Sequence, residues 1–272
     1  MNIKKQYRNG AYLNNQDYFK HIPATGHFLI KPFLETISPF IDFNQVRHIA
    51  DIGSRDLMQS FEFKRFFPQA FIYAFEANPE AVNKFCFPNL ADKARTPVND
   101  IGTPLVEIPL TARNDIELFS TAVANRDGTI KFHPIDMEKS GSKNIGGSSL
   151  FKATEEWTRT REHWVQSEVE VPCITMKKFV ENWDIEIDLV WMDVQGAELL
   201  VLEGFGDHLK KVKAIATEVG LQAYYEGHTL APEINALLEA NGFKCFSSKL
   251  AHSHEMDNVY INETCYRNPG TH

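Results

Sequence analysis

A chain of 272 residues, 43% hydrophobic and 24% charged, is long enough for one large core and has a globular balance. Its net charge of −8 excludes a strongly basic nucleic-acid binder, and no apolar run reaches the length of a transmembrane helix. Cys86, Cys173, Cys245 and Cys265 form no C-x-x-C pair, which argues against a zinc site or a dense disulfide framework and makes them reduced core residues.

The N-terminus, Met1-Asn2-Ile3-Lys4-Lys5, lacks the apolar stretch of a signal peptide, so a cytoplasmic protein is the default expectation. Residues 1–45 are polar and aromatic, with Tyr7, Tyr12, Tyr18 and Phe19. Residues 27–34 read as a helix broken near Pro32 and Pro39. Two readings stand for this segment. It is a helical arm covering a sheet edge or making a homo-oligomer contact, or it is a lid over a ligand; the first is preferred.

Ile49-Ala50-Asp51-Ile52 and Ile72-Tyr73-Ala74-Phe75 each read as a short buried strand. The first runs into Gly53, the second into Glu76, and residues 61–67 between them suit a helix. This is a strand–loop–helix–strand unit of the type that binds a nucleoside, with the glycine giving close backbone approach and the acid reaching ribose hydroxyls. Asn78-Pro79 opens a helix over residues 79–85. Residues 87–114 carry several prolines and read as an irregular connection. Residues 116–123 alternate as one strand, and Asp127-Gly128 turns into residues 130–133, so a hairpin is expected.

Ser140-Gly141-Ser142-Lys143-Asn144-Ile145-Gly146-Gly147-Ser148-Ser149 is the most flexible-looking stretch. Trp157 and Trp164 flank a polar, helix-prone segment. Residues 168–174 alternate as an edge strand, where Pro172 is tolerated. Leu189-Val190-Trp191-Met192 ends in Asp193, with Gly196 allowing a tight exit into a helix from Glu198. Residues 214–219 repeat the pattern and end near Glu218. A helix over residues 232–241 stops at Gly242, and residues 243–246 and 258–261 read as the last two strands.

Ligands of an open parallel sheet sit off the carboxyl ends of its strands. Asp51, Glu76, Asp193 and Glu218 then face one crevice. The first loop lacks G-x-G-x-x-G, which argues against a dinucleotide and a nicotinamide dehydrogenase. Acids at both strand ends suit a cationic, phosphate-free nucleoside, and S-adenosylmethionine is that ligand. Helix capping by Asp51 or Asp193 remains the plainer alternative.

These stretches together resemble the FkbM family of S-adenosylmethionine-dependent methyltransferases. They are Ala50-Asp51-Ile52-Gly53 with Ser60, Phe75-Glu76-Ala77-Asn78-Pro79, Ala122-Val123-Ala124, Gly147-Ser148-Ser149-Leu150, and Met192-Asp193-Val194-Gln195-Gly196-Ala197-Glu198. The resemblance covers residues 49–261. It implies an α/β fold: a Rossmann-like seven-stranded methyltransferase sheet with helices on both faces and its final strand antiparallel. The domain would occupy residues 46–272, with a β-hairpin and loop insertion at about 124–175 and the N-terminal helical arm outside it. The implied chemistry is methylation of a hydroxyl on a sugar or secondary metabolite, with a small molecule or glycan as acceptor and neither nucleic acid nor membrane as partner. The implied cofactor contacts are Asp51, Gly53, Ser54, Arg55, Ser60, Glu76, Ala77, Asn78, Ala122 and Asp193.

Two departures bear on the site. Arg55 stands where the family has asparagine, and offers the methionine carboxylate a salt bridge. Gln195 stands at a family glutamate, which removes one charge and weakens the case for a metal. An alcohol acceptor benefits from a base, for which Asp193, Glu218 and His228 are the candidates. Asp193 with Glu198 or Glu218 offers oxygens of the type that hold Mg²⁺, a reading that is not favoured. The competing class is a non-catalytic nucleoside-binding or scaffold protein on the same fold.

Overall fold

The computed structural model describes residues 29–92, 96–105, 108–141, 145–161 and 163–265. Ten strands among the described residues build two sheets. The larger contains β1 (His48–Ile52), β2 (Phe71–Phe75), β3 (Ile116–Phe119), β7 (Leu189–Met192), β8 (Ala214–Gly220), β9 (Phe243–His252) and β10 (Glu255–Asn262), in the order β3-β2-β1-β7-β8-β10-β9. β10 runs antiparallel to both neighbours, and β3, β2, β1, β7 and β8 are parallel. The central strands are apolar almost throughout because both faces are covered. Ile49 faces a layer containing α1 (Lys31–Ile37) and α2 (Met58–Phe66), whereas Ala50 and Ile52 face α3 (Met176–Trp183), α4 (Glu198–Gly204) and α5 (Ala231–Ala240).

The helix near the N-terminus starts at Lys31 with Pro32 in its first turn, where a proline loses no hydrogen bond, so the chain is not broken there. Ile30, Phe33, Leu34 and Ile37 are buried in the same cluster as β1, and the Glu62 carboxylate accepts from the backbone N–H of Leu29 (3.1 Å) and Ile30 (2.9 Å). This part of the N-terminal segment is thus core packing. The remainder of the arm, residues 1–28, and the tail from residue 266 lie outside the described residues.

The expected hairpin after residue 116 does not form. The chain leaves the large sheet after Phe119, and β4 (Ala122–Val123) joins a second sheet in the order β4-β6-β5, with β5 at Gly128–Phe132 and β6 at Val169–Ile174. β6 lies between the other two, and the Asp127 carboxylate, which accepts from the Thr175 backbone N–H (2.9 Å), ties the turn before β5 to the end of β6. Pro172 therefore sits in a central strand. It is accommodated because β4 reaches only Cys173 and Ile174. The helix after Asn78 is also less regular than expected: Pro79–Ala81 passes through a π-turn at Val82–Cys86 into Phe87–Ala91. The cap itself is as expected, with Asn78 Oδ1 accepting from the Glu80 N–H (3.0 Å). All four cysteines are free.

Candidate functional site

The carboxyl ends of β1, β2 and β7 meet around a cavity. Of the residues named from the sequence as cofactor contacts, Gly53, Arg55, Glu76, Ala77, Asn78, Ala122 and Asp193 line it. Ile145, Ser148, Leu150 and Gln195, from stretches that the sequence singled out, line it as well, with Gln59, Thr121 and Phe132, which carried no earlier signal. Asp51, Ser54 and Ser60 lie beneath the loop, fully buried, and not on the cavity wall. There the Ser60 hydroxyl donates to Asp51 Oδ2 (2.5 Å), and burial raises the Asp51 pKa to about 7.

The first loop is held by hydrogen bonds to Phe75 and Glu76. The N–H groups of Gly53 and Ser54 donate to the Phe75 carbonyl at 2.9 and 3.0 Å. The Glu76 carboxylate accepts from the N–H of Arg55 at 2.6 Å and of Asn78 at 2.7 Å. Burial pushes its pKa up to about 7 against those bonds and the nearby Arg55 charge. Arg55 and Leu57 adopt left-handed backbone, φ 48° and 71°, a conformation that costs about 1–2 kcal/mol for a residue with a Cβ. The guanidinium of Arg55 lies 3.4 Å from Asp56 and 3.6 Å from Asp100.

A second cavity adjoins the first, and Arg55, Gly146, Asp193 and Gln195 line both. Its aromatic wall is Trp157, Trp164 and Tyr224. The Trp157 ring packs 4.6 Å from Tyr224 and edge-on to Trp164 at 5.8 Å. Trp164 lies so close over Gly147 that a Cβ there would fall 2.3 Å from a ring carbon, so only glycine admits this packing. The Tyr225 hydroxyl donates to the Gly147 carbonyl (3.0 Å), fixing the loop to the wall. Of the 144–149 loop, residue 144 falls outside the described residues.

An acid cluster closes the inner end of this cavity. Gln195 Nε2 donates to Asp193 Oδ1 (2.7 Å) and to Glu218 Oε2 (3.3 Å). A glutamate at position 195 would set a third carboxylate against these two; the amide donates to both. Gln195 is itself in left-handed backbone, φ 54°, and its carbonyl accepts from the Ser149 hydroxyl (2.7 Å). Glu218 is pushed up to about 11, by the Asp193 charge first, then by burial and Glu255. Burial raises the Asp193 pKa as well, against the Gln195 hydrogen bond and the Arg55 charge that lower it, so the two carboxyls compete for a proton that the Asp193 charge favours placing on Glu218. Glu255 accepts from the Tyr224 hydroxyl (3.0 Å) and pairs with His254 Nε2 (2.8 Å). Among the described residues, no group of three or more His, Cys, Asp or Glu is arranged to hold a metal ion.

His228 faces neither cavity. Its ring packs against Tyr224 at 4.6 Å and over Gly196 and Gly220, and burial lowers its pKa. Glu198 likewise stands behind the site. Its Oε1 accepts from the N–H of Gly196 (3.1 Å) and Val194 (3.4 Å), while Oε2 is buried with no partner.

Burial raises the Glu198 pKa from 4.5 to about 7. A carboxyl whose folded pKa is raised binds its proton more tightly folded than unfolded. Its contribution is fully present below pH 4.5 and is lost as pH rises through about 7, at most about 3 kcal/mol. Glu198→Gln keeps the accepting oxygen and removes the titration. Its thermal midpoint should therefore fall less than the parent's between pH 5 and pH 8; parallel declines would show that Glu198 ionises normally.

No helix among the described residues is long and apolar enough to cross a membrane. The model of the methyltransferase FkbM domain matches residues 49–245. The 2-O-methyltransferase NoeI of Sinorhizobium fredii (strain NBRC 101917 / NGR234) is 29% identical over 189 residues, which cover 66% of this chain. The matched part spans 65% of that relative's length. Among solved structures, methyltransferase FkbM from Methylobacillus flagellatus KT overlaps with a TM-score of 0.46 at 10% identity, over 79% of this chain and 43% of that one. M. capricolum TrmK, in complex with S-adenosyl-homocysteine, overlaps with a TM-score of 0.45 at 13% identity, over 88% and 71% of the two chains. The fold assignment rests on the order and direction of this chain's own seven strands, and the family match runs from β1 into β9 over more than half of the sequence. This chain belongs to the methyltransferase FkbM domain family.

Proposed function

We propose that the protein methylates a hydroxyl of a sugar, or of a comparably hydroxylated small molecule, with S-adenosylmethionine as donor. The observation that carries this reading is the meeting of two cavities across one wall, where Asp193 and Gln195 border both. A transfer enzyme needs its two ligands in contact and aligned. The aromatic and acidic lining of the second cavity suits a sugar, whose ring offers an apolar face and many hydroxyls.

The first cavity fits the donor. Gly53 lets backbone approach it, and Phe132, Ile145 and Leu150 give apolar walls for a base. Each Glu76 oxygen already accepts one backbone N–H and keeps a second lone pair for the ribose diol. Arg55 would meet the methionine carboxylate. S-adenosylmethionine, when bound, supplies an electrophilic methyl group on a sulfonium. Asp193 would accept the acceptor's hydroxyl proton on the oxygen that Gln195 leaves free, while Gln195 holds the carboxylate in place. Glu218, already protonated, adds no second negative charge beside it. Trp157, Trp164 and the glycine loop would exclude water from the shared wall.

Calorimetry with S-adenosylhomocysteine tests the donor half. Glu76→Ala should weaken binding by about 1–3 kcal/mol, roughly 5–150-fold, in a variant with parental circular dichroism. Unchanged affinity would remove Glu76 from the donor site. Mass spectrometry of a saccharide mixture incubated with labelled S-adenosylmethionine tests the acceptor half. Binding of S-adenosylhomocysteine with no methylated sugar would favour a non-catalytic nucleoside-binding protein.

A further inference from the structure

We infer that the acceptor carries an anionic group, a carboxylate, phosphate or sulfate, and that Arg161 holds it at the outer end of the second cavity. The inference rests on the methyl-transfer reading above and names the class of acceptor.

Charge is segregated along this cavity. Asp193 and Glu218 lie at the end shared with, or next to, the donor cavity, and Glu255 beside them is buried. Arg161 lines the same cavity with His163 and His252, whose side chains are exposed at the surface. Arg55, the other guanidinium of the lining, already has anionic partners. Arg55 lies by Asp56 and Asp100, and His254 pairs with Glu255. Arg161 has no carboxylate partner among the described residues, in a chain with 36 acidic against 28 basic residues.

The guanidinium is also placed. Its carbon lies 3.3 Å from the centroid of the Trp157 ring, a stacked cation–π contact. Nη1 donates to the Trp157 carbonyl (3.3 Å) and to the Thr160 hydroxyl (3.2 Å). Nε and Nη2 donate to no protein acceptor among the described residues. A planar guanidinium fixed on an aromatic face, with one edge open, matches two oxygens of a carboxylate, phosphate or sulfate. Imidazole N–H groups of His163 and His252 add donors at the same mouth. The acids at the inner end repel an anion and accept hydrogen bonds from hydroxyls. An acceptor with both groups would therefore enter hydroxyl first, which points its reacting oxygen at Asp193.

The plainer account is that Arg161 only covers Trp157. Titration of the full chain, saturated with S-adenosylhomocysteine, separates the two, with Trp fluorescence as readout and glucose, glucuronate and glucose 6-phosphate as probes. The anionic sugars should each bind at least about tenfold more tightly than glucose, and Arg161→Gln should erase that margin. The ratio between glucuronate and glucose 6-phosphate identifies whether a planar or a tetrahedral anion fits better. Equal binding of all three sugars, no binding of either anion up to about 50 mM, or a margin that survives in Arg161→Gln would overturn the inference. S-adenosylhomocysteine affinity, measured on the same samples, should be equal in parent and variant. Normal affinity with no preference for the anions sinks only the acceptor class. Loss of affinity in the parent sinks the donor reading itself.

Discussion

Asp193→Asn is expected to lower methyl transfer by about 10²–10⁴-fold, with S-adenosylhomocysteine affinity changed little. The amide keeps the shape of the carboxylate but cannot take a proton from an alcohol. Its neighbours give the substitution a second signature. Glu218 is held protonated chiefly by the Asp193 charge, with burial and Glu255 adding to it. Removing that charge lowers the Glu218 pKa, so Glu218 ionises at a lower pH than in the parent. The residual activity of Asp193→Asn should then rise with pH, and Asp193→Asn with Glu218→Gln should lose that rise. The experiment is a pH profile of methyl transfer on any saccharide that the parent methylates. Full activity in Asp193→Asn at neutral pH would make Asp193 a structural residue, and a flat residual profile would break the proposed link to Glu218.

The donor side of this site was legible in the sequence for a simple reason. β1, β2, β7 and β8 are short apolar runs buried on both faces, and each ends in or beside a small or acidic residue. Parallel strands put those ends on one edge, so Gly53, Glu76, Asp193 and Glu218 could be placed together. Asp51 was misleading because it points to Ser60 under the loop and not into the cavity. The acceptor side was harder to see. Glu255 begins β10, and β10 is antiparallel, so its first residue lands at the edge where the parallel strands finish, opposite Gly220. That rule could have located Glu255 and the His252–His254 turn, since the final strand was already expected to run backwards. His228 was read from its loop neighbours, but its ring packs against Tyr224 and Tyr225, and it is Tyr224 that stands on the wall. The missing hairpin has the same origin as most errors of local reading. Asp127-Gly128 does turn the chain, yet the following strand pairs with β6, whose end meets the turn through Thr175, 48 positions away.

Gly53→Ala should unfold the protein at markedly lower urea, with a loss of at least about 3 kcal/mol, and should abolish donor binding in what remains folded. Two costs combine. Gly53 has φ 83°, where an alanine pays about 1–2 kcal/mol. A Cβ there would also fall 1.9 Å from the Asp193 carbonyl oxygen. That atom is backbone, so no side-chain rotation relieves the overlap. It can be relieved only by moving the exit of β7 away from β1, which is held by the bond from the Asp193 N–H to the Ile52 carbonyl (3.0 Å). The carboxylate at the shared wall moves with that exit. Gly141→Ala provides the comparison, because Gly141 has φ 64° and no heavy atom among the described residues within 4 Å of its added Cβ. It should lose only the conformational cost, about 1 kcal/mol, and bind S-adenosylhomocysteine normally. Equal losses for the two substitutions would mean that backbone conformation alone selects glycine at position 53. A larger loss at Gly53, with donor affinity gone, is the result expected of a glycine that keeps two parallel strands close enough to share one site.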